Sequence, residues 1–448
     1  MSGEVGGNLG KRWVPLVLFG LVGQLAWTIE NMYFNVFLYK TVTYDPLAVA
    51  IMVGASAVVA TGTTLVMGSA SDALGRRRPF IVGGYLIWGL TIMAFALVGN
   101  QTSAELFPGA DAVAVTVAIV VVLDCVMTFF GSTANDSAFN AWVTDNTTAA
   151  NRGRAEGVLN ALALVAMIVV FGALDPLTQA GQWTTFFLVV GGIVSLCGLS
   201  GLWLVRDAPG VQRNQEHAFT RLAQGLRISA VKENPALYVV FAGLALAGIA
   251  QQVYMPYLLI YIQYHLGVES YAVPLALTLV LAAAVSILGG RLADRIGKVR
   301  FLVPAVGALF LGLVLVWIQG ILMGGSGAVA GWTLIPVATL MLGGMLTLNT
   351  VLGATARDLM PDTERGYLNG VRLIFMVLIP MVTGPFIGSA IIRGGPQYFD
   401  EYGVRQWIPG PGIFLGAAAV SLLCLLPALW LRRRAAAGGA RSTGGSTI

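Results

Sequence analysis

The sequence predicts an all-α polytopic membrane protein with twelve transmembrane helices in two six-helix bundles, and three observations lead to this prediction. Of the 448 residues, 57% are hydrophobic and only 10% are charged, and the mean hydropathy is +0.79. This composition excludes an ordinary soluble domain. The apolar residues form continuous runs rather than the alternating pattern of a β-barrel. Finally, one short polar motif occurs twice, once in each half of the chain.

The apolar runs give the predicted spans, because about 20 apolar residues cross a bilayer. We place the spans at 14–38, 46–69, 80–98, 113–142, 157–176, 183–205, 236–262, 271–289, 301–322, 331–356, 367–392 and 411–431. The predicted domains are an N-terminal bundle (1–205), a cytoplasmic linker (206–235), a C-terminal bundle (236–434) and a disordered tail (435–448). The tail is rich in glycine, serine and alanine, a composition typical of flexible segments.

The basic residues predict the orientation of the chain. All of the 26 Lys and Arg residues except Lys40, Arg372, Arg393 and Arg405 lie in loops and termini on one side of the membrane, if the spans alternate in direction. Positively charged loops stay in the cytoplasm. We therefore expect both termini to be cytoplasmic and the protein to lie in the cell membrane.

The repeated motif has the spacing Gly-x3-Asp-x2-Gly, followed by basic residues. It consists of Gly68, Asp72, Gly75 and Arg76 in the first half and of Gly290, Asp294, Gly297 and Lys298 in the second. We expect the glycines to let neighbouring helices approach closely. The aspartates are expected to meet a helix N-terminus or a basic side chain.

A second repeat has the spacing Asp-x6-Arg-Gly-x3-Gly-Val. It begins with Asp145 and Arg152 in the first half and with Asp358 and Arg365 in the second. Both copies lie in the loop that enters the fifth span of their half. We interpret both repeats as charged latches that bias a conformational switch between the halves, although a purely structural role is an alternative.

Three acidic residues lie in the interior of predicted spans: Glu30, Asp124 and Asp136. An ionisable group there costs at least about 2.5–3.5 kcal/mol, so such groups are usually paired, cavity-facing or functional. Asp124 and Asp136 are ~18 Å apart along one helix and cannot share an ion. We expect Asp136 to bind a coupling cation in preference to Asp124, and Glu30 is the third candidate.

Aromatic and amide side chains near these acids predict a substrate site. In the N-terminal half they are Trp27, Asn31, Tyr33 and Asn140, with Glu30, and in the C-terminal half they are Gln251, Gln252, Tyr254, Tyr257 and Asn349. Trp27, Glu30 and Asn31 share one face of an α-helix by their spacing. An aromatic ring beside amides suits a sugar or another polyol. Glu30 could equally be a buried structural acid. We expect the two sets to face each other across one cavity.

Other functions are disfavoured. The chain has no Gly-x4-Gly-Lys-Ser/Thr loop, which argues against ATP as the energy source. His217 and His265 are far apart and lack cysteine partners, so no metal site is expected. We predict no catalytic residues, no cofactor and no nucleic-acid partner. The expected partners are a small-molecule substrate, a proton and the bilayer, with the protein as a monomer.

The two Gly-x3-Asp-x2-Gly loops resemble those that follow the second helix of each half in the major facilitator superfamily, and this resemblance covers residues 12–432. Within that superfamily, Gly68-Ser-Ala-Ser-Asp72 with Gly75-Arg-Arg-Arg-Pro-Phe80 resembles the sucrose and disaccharide proton symporters. These belong to the glycoside–pentoside–hexuronide:cation symporters. In that group an Asp in the fourth helix binds the coupling cation, and Asp136 matches it. An acid-x-Thr stretch before an Arg also matches, at 145–147 and 152.

The resemblance implies proton-coupled symport of a sugar or glycoside by alternating access. Two departures affect the coupling ion. Ala60 and Thr64 stand where melibiose-permease-like members carry Asp, and the lysine expected in span 11 is absent. Both argue against sodium. The alternatives are an exporter or carrier of a lipid-like or amphipathic molecule with the same fold, and a non-transporting membrane receptor or assembly protein.

Overall fold

The computed structural model describes residues 10–148, 151–208, 225–361, 365–399 and 405–443. In these ranges, twelve helices are long and apolar enough to cross a membrane. They are Trp13–Val42, Pro46–Leu74, Arg78–Leu97, Ala112–Asn146, Arg152–Gln179, Trp183–Leu204, Pro235–His265, Ala272–Ile296, Lys298–Met323, Ala328–Leu359, Leu368–Arg393 and Gly412–Ala436. Each overlaps one predicted span, and the all-α fold with twelve spans is confirmed.

Shorter elements precede the first span or connect the spans. They are the 3-10 turn Gly10–Arg12, the helices Asn100–Leu106 and Ile228–Glu233, and the strands Tyr398–Phe399 and Arg405–Gln406. The two strands pair antiparallel before the twelfth span, with Tyr398 opposite Gln406.

Several spans depart from α-helical geometry within their length. π-Helical turns, which are wider than α-helical ones, occur at Ile29–Phe34, Leu38–Val42, Ser132–Phe139, Val170–Leu174, Tyr261–His265 and Ile374–Leu378. The 3-10 turns Phe95–Leu97 and Met255–Tyr257 lie in the third and seventh spans. Pro256 accounts for the second of these, because it lacks the N–H that an α-helix needs. Two of the π-helical turns contain Glu30 and Asp136.

The chain divides into two compact units. The first unit contains the described residues up to Thr43 and from Ala55 to 208, and the second contains Tyr44–Gly54 and the described residues from 225 onward. The beginning of the second span therefore belongs to the second unit. There the Tyr257 hydroxyl lies 3.0 Å from the Pro46 carbonyl oxygen, and Arg393 Nε lies 3.7 Å from Asp45 Oδ1.

The core of the first unit joins its first, third and sixth spans. A Cβ atom at Gly89 would collide with the carbonyl oxygen of Gly191, so only glycine allows the third and sixth spans to pack this closely. The Phe187 ring packs against Phe34 and Phe95, each with a centroid separation of 5.5 Å. The aromatic cluster fixes the helix that carries Glu30.

The core of the second unit joins the seventh and twelfth spans of the chain. The Phe414 ring lies 5.4 Å from the Tyr254 ring and 4.9 Å from the Tyr261 ring. These contacts bury the face of the seventh span that carries Tyr254.

The predicted linker and tail are only partly described. In the linker, residues 209–224 lie outside the described ranges, and the helix Ile228–Glu233 follows. The last helix, Leu425–Thr443, runs into the segment that the sequence predicted to be a disordered tail.

Candidate functional site

Glu30 lies in the first span, in the π-helical turn Ile29–Phe34. Its side chain is buried, and its Oε1 accepts a 2.9 Å hydrogen bond from the Thr128 hydroxyl of the fourth span. By contrast, Trp27 is half-buried and Asn31 is exposed. The wider turn changes the angular spacing of the side chains. This explains why three residues predicted to share one face differ in exposure.

The Trp27 indole begins a chain of hydrogen bonds that ties the first, third and fourth spans together. Its Nε1 donates to Asn135 Oδ1 at 3.3 Å, and Asn135 Nδ2 donates to the Tyr85 hydroxyl at 2.6 Å. That hydroxyl donates in turn to the Phe19 carbonyl oxygen at 2.8 Å. The Trp27 ring also packs 5.0 Å from the Trp88 ring. The half-buried indole is therefore held in place from several sides.

Asp136 lies in the π-helical turn of the fourth span and is half-buried. Its Oδ2 accepts a 3.1 Å hydrogen bond from Ser132 Oγ, and its side chain interacts with that of Trp27. The exposed Asn140 donates from Nδ2 to the Asp136 carbonyl oxygen at 3.1 Å. Asp136 thus belongs to the same cluster as Trp27.

Asp124 lies in the α-helical part of the fourth span and is fully buried. It hydrogen-bonds Ser56 of the second span. Thr128 follows Asp124 by one helical turn, so the two side chains share a face, and Thr128 binds Glu30. Glu30 also interacts electrostatically with Asp124 and with Asp136. The structure therefore groups Glu30 with Asp124.

Asp175 is a buried acid that the sequence analysis did not single out. The Tyr33 hydroxyl donates to its Oδ1 at 2.9 Å, and Gln179 Nε2 donates to its Oδ2 at 2.6 Å. Tyr33, a predicted substrate-binding residue, is itself buried against this carboxylate. The available signal was the Asp-Pro pair at 175–176, which lies at the end of the predicted span 157–176 but was not counted among the membrane acids.

The predicted substrate-binding residues of the second unit differ in exposure. The half-buried ones are Gln251, Gln252 and Asn349, and the buried ones are Tyr254 and Tyr257. The Tyr257 hydroxyl lies 2.9 Å from the Pro385 carbonyl oxygen. The Tyr254 hydroxyl has no hydrogen-bond partner among the described residues. That this set faces Trp27 and Asn31 across one cavity stays a prediction.

Arg77, between the second and third spans, is the centre of an ion-pair network. It is 5% exposed, and its guanidinium lies 2.5 Å from Asp72 Oδ1 and 3.0 Å from Asp145 Oδ2. Burial alone would lower the pKa of Arg77, but hydrogen bonds with Asp145 and Asp72 outweigh burial and raise this pKa above its ordinary value. The predicted Arg76 is exposed instead. Arg77 brings together one aspartate from each of the two sequence repeats.

Arg152, the predicted basic residue of the second repeat, is exposed. Its Nε donates to Thr147 Oγ1 at 3.4 Å. Asp145 of the same repeat pairs with Arg77 instead. The two charged positions of this repeat therefore serve different contacts.

Asp207, just past the sixth span, caps the N-terminus of the third. Its Oδ1 accepts hydrogen bonds from the backbone N–H groups of Arg77 and Arg78 at 2.8 and 2.9 Å. A carboxylate there satisfies free N–H donors and interacts favourably with the helix dipole. Sequence reasoning missed this cap, because it comes from a distant part of the chain.

The glycines of the first repeat have separate roles. Gly75 and Gly297 adopt φ values of +64° and +100°, which explains why each helix ends there in a glycine. The close helix approach expected at Gly68 and Gly290 is not observed. A Cβ atom at Gly68 would meet Ser137 Oγ at an ordinary 3.7 Å, and one at Gly290 would meet no atom of the described residues within 4 Å.

The corresponding loop of the second unit has a simpler network. Lys298 Nζ lies 2.6 Å from Asp358 Oδ2, with side chains 34% and 59% exposed. Asp294 is exposed and forms no ion pair with any described residue. The side chain of Arg365 lies outside the described part of the structure. Each loop's ion pairs connect residues of its own unit, so latching between the halves stays a prediction.

Similar structures share this fold at low sequence identity. A mutant form of the nucleoside transporter NupG has a TM-score of 0.70 at 12% identity, covering 95% of this chain and 100% of that one. The xylose transporter XylE from E. coli has a TM-score of 0.63 at 13% identity, covering 94% and 97%. A bacterial homologue of the human lysosomal transporter Spinster has a TM-score of 0.62 at 16% identity, covering 96% of each chain.

The family is established by the sequence itself. A search among functionally described proteins gives no sequence match. The family model of the Major Facilitator Superfamily, however, matches residues 16–352, which is more than half of the chain. The subgroup of glycoside–pentoside–hexuronide:cation symporters is not distinguished by these comparisons, since the similar structures include nucleoside, xylose and Spinster-type transporters. The twelve-span fold agrees with the family match, and the chain belongs to the Major Facilitator Superfamily.

Proposed function

We propose that this membrane transporter is a proton-coupled symporter that takes up a sugar or glycoside by alternating access. The observation that carries the proposal is the grouping of polar and aromatic side chains in the first unit. The half-buried Trp27 ring and the exposed amides of Asn31 and Asn140 occur on the same two spans as Glu30 and Asp136. An indole can stack on a sugar ring while amides bond its hydroxyl groups.

The substrate class rests on these side chains. The similar structures include transporters named for a nucleoside and for xylose, and both molecules present sugar hydroxyl groups. At 12% and 13% identity those proteins share the fold with this chain. They are compatible with a sugar-containing substrate, and the reason to favour one is Trp27 with its neighbouring amides.

The coupling ion is a proton in this proposal. Membrane-embedded carboxyl groups commonly form proton relays in transporters. Ala60 and Thr64 lack the carboxylates of a melibiose-permease-like sodium site. Binding of a proton and a sugar would then allow the loaded carrier to change from one open side to the other. The charge asymmetry of the loops supports a cell-membrane location with both termini cytoplasmic.

Uptake into liposomes tests the function. Purified protein would be reconstituted, and accumulation of radiolabelled sucrose, xylose and uridine would be followed under a pH gradient, acid outside. We expect at least one sugar to accumulate above its equilibrium level, and a protonophore should abolish this accumulation. Trp27→Ala should reduce uptake strongly, whereas Trp332→Ala, at an exposed tryptophan of the second unit, should not.

Three outcomes would contradict the proposal. Accumulation driven by sodium but not by protons would assign another coupling ion. Movement of a lipid-like probe out of the liposomes, with no sugar uptake, would favour the exporter alternative. Movement of no probe in a protein that stays folded would favour a non-transporting receptor.

A further inference from the structure

Glu30 and Asp124 are the two carboxyl groups most deeply buried among the membrane acids that the sequence singled out. Their exposed fractions are 8% and 1%. Each also keeps one oxygen, Oε2 of Glu30 and Oδ1 of Asp124, that has no hydrogen-bond partner among the described residues. A buried polar atom without a partner is costly and calls for an explanation, such as a bound ligand or proton.

The two carboxyl groups belong to one cluster in which three spans meet. Thr128 donates to Glu30 at 2.9 Å and lies one helical turn from Asp124. Ser56 of the second span hydrogen-bonds Asp124. The carboxyl groups of Glu30 and Asp124 interact electrostatically. No basic side chain forms an ion pair with either carboxyl group among the described residues, so nothing there neutralises two negative charges.

Two ionised carboxylates in such surroundings are unfavourable, for two reasons. Burial disfavours each charge, and like charges repel strongly in a low dielectric. One added proton neutralises one carboxyl group and supplies an O–H donor. It therefore removes one buried charge and the mutual repulsion. Carboxyl groups that share a site titrate as a pair and not one by one.

We propose that Glu30 and Asp124 together form the coupling site and share a single proton, while Asp136 positions Trp27. This assignment rests on the proposed function and reverses the sequence-based preference for Asp136. Asp136 is only half-buried, and it already accepts a hydrogen bond from Ser132 and contacts the Trp27 indole. Its contact with the indole is the reason to assign it the orienting role.

The transport cycle moves one proton through this pair. A proton from the outer solution binds the doubly ionised pair and leaves it with one negative charge. After the carrier has changed its open side, the same proton passes to cytoplasmic water, and the pair again carries two charges. Ser56 is two residues past Gly54, the end of the segment of the second span that belongs to the second unit. Ser56, Glu30 and Asp124 all belong to the first unit, so protonation can alter a contact within that unit.

Two other titratable groups act on the pair. Asp136 interacts electrostatically with Glu30, and the Cys125 thiol interacts with both Glu30 and Asp124. Thr128 and Ser56 supply only hydroxyl groups. A variant of Asp136 is therefore needed as a control beside the variants of the pair.

Infrared titration of the purified protein in lipid nanodiscs tests the assignment without any substrate. The carboxylic-acid band would be recorded between about pH 6 and pH 9, where exposed carboxyl groups are already ionised. In the unaltered protein, we expect the intensity of this band to correspond to one protonated carboxyl group per molecule. Glu30→Gln and Asp124→Asn should each shift its pH of half-titration, and the double variant should lose the band. Asp136→Asn and the exposed control Glu105→Gln should retain it.

Several results would overturn the assignment. A band that persists in the double variant, or that disappears in Asp136→Asn, would place the proton elsewhere. A band that sodium removes at constant pH would identify a metal-cation site. If the double variant does not fold, Thr128→Val must still shift the half-titration, whereas Thr133→Val, whose hydroxyl bonds its own helix, must not. No shift in Thr128→Val would also overturn the proposal. Because the titration uses no substrate, its result is independent of the uptake assay.

Discussion

The loops after the second and the eighth span carry the same Gly/Asp/Gly motif, but their side-chain networks differ. In the first loop, the buried Arg77 contacts Asp72 and Asp145. In the second, only the exposed pair between Lys298 and Asp358 forms among the described residues. The motif therefore specifies the turn, since the last glycine of each copy has a positive φ. It does not specify the ion pairs.

One reason for the difference is a single position in the sequence. When the repeats are aligned on their glycines, Arg76 corresponds to Lys298 and Arg77 corresponds to Val299. The second loop lacks a cation at the position that is buried in the first. The last span of each half, which is the sixth or the twelfth span of the chain, also ends differently. Asp207 follows the sixth and caps a helix, whereas three arginines, Arg432 to Arg434, lie near the end of the last span.

The first loop should therefore contribute much more to stability than the second. Breaking a buried ion pair by removing one partner typically costs about 3–5 kcal/mol, because the other charge is left buried and unpaired. An exposed pair contributes roughly 0–1 kcal/mol. Asp72 and Asp145 are partly exposed, so the lower end of the first range is the better guide.

The largest expected effect is that of Arg77→Ala. It should lower the free energy of unfolding by about 3 kcal/mol and reduce transport, because two ion pairs and the packing of a buried side chain are lost together. Lys298→Ala should cost at most about 1 kcal/mol. Thermal unfolding of both variants in detergent micelles, with Arg76→Ala as an exposed control, measures the difference. Equal losses for Arg77→Ala and Lys298→Ala would contradict the comparison.

A smaller difference is expected between Asp145→Asn and Asp358→Asn. The first change removes a charge beside a buried guanidinium, and the second removes a charge from a largely exposed pair. We expect Asp145→Asn to be the more destabilising by about 1–2 kcal/mol. The same unfolding assay in high salt sharpens the test, because salt screens exposed pairs more than buried ones. A strong salt dependence for the Asp145 pair would argue against its burial.

The sequence alone was sufficient for the fold. The bilayer requires apolar helices that are long enough to cross it, whatever their detailed packing. The overall composition and the continuous apolar runs therefore reveal the spans. Each of the predicted spans overlaps a helix in the structure. The glycine that occurs in both copies of the motif, as Gly75 and as Gly297, also indicated where a helix ends. Both have a positive φ, which glycine adopts far more readily than other residues.

The side-chain partners could not be predicted from the sequence. Trp27, Glu30 and Asn31 were assigned to one face on the assumption of α-helical geometry, and the π-helical turn at Ile29–Phe34 changed that spacing. The link between Glu30 and Thr128 connects two spans far apart in the chain. Nothing in the spacing of either span indicates which residues of the other span they contact.

A further prediction concerns transport rather than stability. Asp72→Ala and Asp294→Ala should each reduce transport more than expression, and the Asp72 change should be larger because Asp72 binds Arg77. We expect roughly a tenfold loss of uptake for Asp72→Ala, equivalent to about 1.4 kcal/mol. Initial uptake rates, normalised to the amount of protein in the membrane, provide the measurement. Unaltered rates in both variants would refute a latch function for these loops.

The smallest expected effect comes from adding the missing cation to the second loop. Val299 is half-buried beside Lys298, so Val299→Arg places a guanidinium at the position that corresponds to Arg77. In a Lys298→Ala background it should restore up to about 1 kcal/mol by pairing with Asp358, because the new pair stays close to solvent. Val299→Leu, which is apolar and uncharged, is the matched control. If Val299→Leu restored as much stability as Val299→Arg, packing rather than charge would account for the recovery. The difference between the two loops would then not depend on a cation at this position.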